Sequence, residues 1–164
     1  MHLGSIELGD FQIDAIDGGG VWMDGGAIFG VVPKPLWSGL KEADDENRIR
    51  LSFYSLLVRS RSVTIVIEAG SAAHQPPKVA EYHRADAARL AETLDSLGVA
   101  TTDVDFFLPS HLHFDHVGGA VDEKGEPLFP NATYVFQEAE WREALSPTAI
   151  NRNAYLAGDI EPLK

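Results

Sequence analysis

The stretch "DVDFFLPSHLHFDHVGG", residues 103–119, constrains this chain more than any other. Its first part is a short apolar run, and Pro109 cannot donate a ladder hydrogen bond, so the run reads as a buried strand that stops there. Directly beyond the stop come three of the chain's six histidines and an aspartate, all within six residues. Open α/β sheets gather ligands at the carboxyl ends of their strands. The order of residues therefore predicts a layered α/β domain with a polar, imidazole-rich site at one sheet edge.

The composition narrows what that site can be. Cysteine is absent, which removes disulfides, thiolate nucleophiles and thiolate metal sites together. The net charge is −12, and no cluster of Lys and Arg is present that would neutralise a phosphate backbone, so nucleic acid is not expected as a partner. With 164 residues the length suits one domain that buries about 70% of its unfolded surface. No apolar run approaches a membrane span, and the N-terminus lacks the pattern of a signal peptide. The expectation is a cytoplasmic protein with no membrane partner.

Along the chain, "IELGDFQIDAIDGGG" alternates on either side of Gly9-Asp10 and predicts a hairpin. The Gly- and Pro-rich residues 18–37 that follow have no clear period and predict a long shaped loop or very short strands. Residues 49–60 and 62–70 read as adjacent antiparallel strands joined around Ser60-Arg61. Ala87, Leu90, Leu94 and Leu97 predict a helix within 85–98, capped by Gly98. "ATYVFQ" predicts a strand, "EAEWREAL" a short helix, and the tail from Ser146 has no strong period.

The histidine cluster is spaced His111-x-His113-x-Asp115-His116. In extended backbone, residues two apart share a side, so His111 and His113 can reach one ion. A turn at Phe114 then sets Asp115 and His116 beside a second ion, and Gly118 and Gly119 permit close backbone packing beyond it. Nitrogen and oxygen donors suit Zn²⁺, and also Mn²⁺, Fe or Co²⁺. Asp115, bound through one oxygen, has the other available for acid/base work. His2, His74 and His83 stand alone and are read as ordinary histidines.

The HxHxDH pattern after a buried strand resembles the metallo-β-lactamase fold superfamily of hydrolases. "SHLHFDHVGG" is most similar to its quorum-quenching lactonase and related esterase branches, and residues 24–37, 46–60 and 129–145 resemble the stretches around it. The resemblance implies an αββα sandwich whose site lies at one edge of two sheets, with two divalent metal ions. It assigns His111 and His113 to the first ion and Asp115 and His116 to the second, with Asp115 the acid/base group. Phe29 and Trp37 are candidate pocket contacts, with packing between sheet and loop as the competing reading.

Two departures from the family pattern accompany the match. Glu68-Ala69-Gly70 stands where Asp-Thr-Gly is typical, so the carboxylate that supports a ligand histidine carries an extra methylene. No histidine follows His116, whereas the family draws a third histidine, a bridging aspartate and a last histidine from later in the domain. Residues 1–164 are thus expected to be the N-terminal part of one such domain. Asp159, Glu161, His74 and His83 have no spacing that fits the gap. The expected function is metal-dependent cleavage of a lactone or related ester. The alternatives are a glyoxalase II-like thioesterase, a phosphotriesterase-like hydrolase, or a non-catalytic half domain completed by a second chain or by self-association.

Overall fold

The computed structural model describes residues 1–72, 75–86 and 89–164. His74 and Ala87 lie outside the described residues. The strands are β1 (His2–Leu8), β2 (Phe11–Asp24), β3 (Arg48–Arg59), β4 (Thr64–Ile67), β5 (Phe106–Leu108) and β6 (Thr133–Tyr134). The helices are α1 (Gly25–Phe29), α2 (Lys34–Trp37), α3 (Pro77–His83), α4 (Leu90–Ser96), α5 (Phe114–Val117), α6 (Glu138–Leu145) and α7 (Ala157–Ile160).

The six strands make one mixed sheet in the order of the chain. β1 through β4 pair antiparallel as a meander, then β5 joins β4 in parallel and β6 joins β5 in parallel. The change of sense follows from the connections. A two-residue turn at Gly9-Asp10 returns β2 alongside β1, whereas a parallel neighbour needs a crossover, which α3 and α4 supply between β4 and β5.

Two expectations are corrected here. The Gly-rich residues expected as a long loop or very short strands instead continue β2 as one long strand as far as Asp24, and the register against β3 slips between Asp17 and Gly20. Gly19 has φ 92°, and a Cβ there would lie 2.6 Å from the carbonyl oxygen of Asp86. Glycine is therefore used for a bulge at which a second backbone approaches closely, as the Gly20 to Asp86 bridge confirms. That bridge also holds Asp86 out of the predicted helix, which runs from Leu90 to Ser96 with Gly98 at φ 75° just past its end. Among the described residues all the strands lie in one sheet.

The core packs against one face of that sheet. On β2 the even positions Asp14, Ile16, Gly18 and Gly20 turn inward, the period of a half-buried strand. Ile16, Leu57, Val66 and Phe107 from the strands meet Leu90 and Leu94 of α4, then Leu112, Val117, Phe129 and Ile160. Phe107 has ring contacts with Phe129 at 5.6 Å and Tyr134 at 5.2 Å between centroids. This cluster runs under the sheet from β2 to β5 and includes Leu112 and Val117 of the segment that carries the histidines.

Candidate metal centre

The HxHxDH segment leaves the C-terminal end of β5, and Glu68 follows the C-terminal end of the neighbouring β4. Backbone bonds join the two ends: Ala69 N–H donates to His116 O at 2.8 Å, and Gly119 N–H to Gly70 O at 3.0 Å. The fit is close enough that a Cβ on Gly118 would lie 2.6 Å from the backbone nitrogen of Ala72. Phe114 and Val117 are buried within α5, which fixes the turn after His113 and turns Asp115 and His116 away from the core.

The three imidazoles of the motif meet. The His111 ring lies 4.4 Å from that of His113 and 3.9 Å from that of His116, centroid to centroid. His116 Nδ1 is 3.0 Å from Glu68 Oε2, and Ser110 N–H donates to the other Glu68 oxygen at 2.8 Å. The extra methylene of Glu68 therefore does not cost the contact, and the residue makes it with φ at 61°. With Nδ1 held, His116 Nε2 lies 3.5 Å from Asp115 Oδ2. His111 Nδ1 is likewise occupied, 3.0 Å from Ser110 Oγ.

These contacts set the charge states. Burial alone would raise the Glu68 carboxyl, but its hydrogen bonds with His116 and Ser110 outweigh that and hold it below its usual range. Burial likewise opposes charge on His116, yet the Glu68 bond and the Asp115 carboxylate raise it overall. His111 is lowered by burial and then by its two histidine neighbours, which keeps its imidazole neutral and able to donate a lone pair.

Among the described residues, no three His, Cys, Asp or Glu side chains are grouped so as to enclose an ion as they stand. The donor chemistry nevertheless suits a divalent ion: adjacent imidazoles, a carboxylate beside them, and Nδ1 of both His111 and His116 already engaged, which leaves Nε2 of each ring as the nitrogen for a metal. The other candidates lie elsewhere. His2 sits by Ser5 and Asp14, His83 Nδ1 faces Trp22 O at 3.2 Å, and Glu161 pairs with Lys164. Asp159 is buried at 2% exposure near Gly118.

A cleft of about 290 Å³ opens beside Asp115 and His116, walled by Leu51, Ser52, Phe53 and Tyr54 of β3 together with Glu68. Phe29 and Trp37 are not among its walls. They stack on each other at 4.7 Å, and Trp37 is buried over Gly25. Sequence reasoning also missed Glu140 and Tyr155, which touch the motif from α6 and the tail. Leu112 N–H and Tyr155 O–H both donate to Glu140 Oε1. No sequence spacing links residues so far apart.

The fold and this motif define a class. Residues 51–156 match the model of the metallo-β-lactamase superfamily, and the chain belongs to that family. Among curated relatives, N-acyl homoserine lactonase AttM of Azorhizobium caulinodans is 33% identical over 66 residues, 40% of this chain and 23% of that protein. A probable metal-dependent hydrolase from Staphylococcus aureus superposes with TM-score 0.86 at 33% identity, covering 94% of this chain and 56% of that one. The dizinc quorum-quenching lactonase AidC, at 18% identity and TM-score 0.74, shares the fold over 98% of this chain and 57% of its own. The chain spans little more than half the length of these solved structures.

Proposed function

We propose that the chain carries the HxHxDH part of a two-metal hydrolase that cleaves a lactone or related ester, with zinc the preferred metal. The observation that carries this reading is the meeting of His111, His113 and His116 at the ends of adjacent parallel strands, with Glu68 holding His116 Nδ1. In this reading His111 and His113 hold one ion, and Asp115 and His116 the other. Such ions, when bound, make water nucleophilic near neutral pH and polarise a carbonyl oxygen.

The chain's own residues do the rest. Glu68 fixes the His116 tautomer and ring direction. Asp115, 24% exposed at its side chain, reaches solvent and the cleft, where one carboxylate oxygen moves a proton to the departing alkoxide. Leu51, Phe53 and Tyr54 offer an apolar wall for the acyl portion of a substrate. The same donors would serve a thioester or phosphotriester, so the substrate panel must include all three.

The test is metal analysis with a panel of lactones, esters, thioesters and phosphotriesters. Expected are two divalent ions per chain and lactone or ester turnover that falls by at least about 100-fold in His113→Ala and Asp115→Asn. A metal-loaded sample inert to the whole panel would overturn the reading.

A further inference from the structure

His113 is held from three directions by residues far along the chain. On its N-terminal side, Leu112 N–H donates to Glu140 Oε1 at 2.8 Å. On its C-terminal side, Phe114 N–H donates to Ala154 O at 2.8 Å. Its ring meets the Tyr155 ring at 4.7 Å and 76°, an edge contact. The same Glu140 oxygen that takes the Leu112 bond also takes the Tyr155 hydroxyl, at 3.0 Å.

We propose that Glu140 is a positioning residue for the histidine pair. One of its oxygens ties the Leu112 backbone, between His111 and His113, to the Tyr155 ring that supports His113, and so sets the angle at which both imidazoles present to a metal. This rests on the metal reading above.

Three considerations favour it over simple packing. Leu112 is fully buried, so its side chain is already fixed by the core, and a second restraint on its backbone does not serve burial. What that restraint does fix is the direction of the two flanking side chains, because the rotation of the peptide units on either side of Leu112 turns His111 and His113. A charged acceptor strengthens both bonds. Finally, Glu140 and Tyr155 come from two different elements, α6 and the tail, so the histidine pair is referenced to parts of the fold outside β5.

The experiment uses the full chain and Glu140→Ala, Glu140→Gln and Tyr155→Phe. It measures Zn²⁺ affinity by chelator competition, the visible spectrum of the Co²⁺-loaded protein, and the Leu112 amide shift without metal. Expected for Glu140→Ala is 10- to 100-fold weaker Zn²⁺ binding, an altered Co²⁺ spectrum and a displaced Leu112 amide. Glu140→Gln keeps an acceptor oxygen and stays near wild type. Tyr155→Phe keeps the ring but frees the oxygen, and gives a smaller loss with a displaced Leu112 amide.

Unchanged affinity and spectrum in folded Glu140→Ala would overturn the proposal, as would Glu140→Gln binding as weakly as Glu140→Ala. If Glu140→Ala does not fold, Tyr155→Phe decides: wild-type affinity together with a wild-type Leu112 amide overturns it. A wild-type chain that holds no ion sinks the metal reading itself, and this inference with it. Tight wild-type binding with indifferent variants sinks this inference alone.

Discussion

Gly118→Ala tests how tightly the metal segment is fitted to the end of β4. Gly118 has φ −57° and ψ −41°, a helical conformation that alanine adopts readily, so the substitution carries no backbone penalty and isolates the effect of space. The new methyl would lie 2.6 Å from Ala72 N, 3.2 Å from Asp159 Oδ2 and 3.3 Å from Ala72 Cβ. The nearest of these is backbone, about 0.8 Å inside ordinary contact, and it cannot rotate aside as a side chain would. Relief requires the turn that follows His116 to move away from the Gly70–Ala72 segment, which strains the Ala69 to His116 and Gly119 to Gly70 bonds. Overpacking of this kind costs about 1–3 kcal/mol. A shift approaching 1 Å in a segment that places reacting groups costs on the order of 100-fold in rate.

The assay pairs urea unfolding with Zn²⁺ affinity and turnover, using Gly39→Ala as control. A methyl on Gly39 would have nothing within 4 Å of it, and the residue has no positive φ, so that variant is expected to be neutral or up to about 1 kcal/mol more stable. Gly118→Ala with wild-type stability and wild-type metal affinity would refute the close fit.

Two further expectations concern the core. Burial raises the Asp159 carboxyl from 3.8 to about 7, so the folded protein keeps a proton that the unfolded chain loses above about pH 4. The stability this contributes is full below that pH, declines as pH rises toward 7, and is gone beyond it. Asp159→Asn removes the slope, so its stability relative to wild type should improve by about 2–3 kcal/mol between pH 5 and pH 8. Parallel curves in urea unfolding would contradict this. Phe107→Ala empties a fully buried site lined by Phe129 and Tyr134 and should cost about 3–5 kcal/mol with an unchanged denaturant slope. A loss below 1 kcal/mol would mean that the site collapses or is not packed as described.

Much of this was legible in the chain because it depends on local chemistry. The Gly9-Asp10 turn, the β3–β4 pair, the strand ending at Pro109 and the helix at Glu138–Leu145 each announce themselves by period or by turn residues. The four motif residues were visible for the same reason, since they lie within six positions. What escaped depends on partners distant in sequence. Gly18 to Gly20 look like loop until Asp86 is seen to press against them. Phe29 and Trp37 read as pocket contacts or as packing between sheet and loop, and that they stack on each other depends on how the loop folds back. Glu140 looks like an ordinary helix carboxylate until Leu112 and Tyr155 are brought to it. The α3 helix begins Pro76-Pro77, a pair that reads as a loop signal although proline is well suited to the first helical turn.

The change from antiparallel to parallel pairing has a consequence for the order of folding. The hairpins of β1–β2 and β3–β4 close short loops, whereas Ile65 pairs with Phe106 and Glu68 reaches His116 across 48 residues. Closing the longer loop costs more chain entropy and slows assembly. The meander should therefore form first, and the histidine edge should form only when the crossover has docked. In native-state hydrogen exchange, the amides of Ala69, His116 and Gly119 are expected to open at lower free energy than those of β2 and β3. An ion bound there would act as a late clasp, slowing the escape of the last part of the chain to arrive.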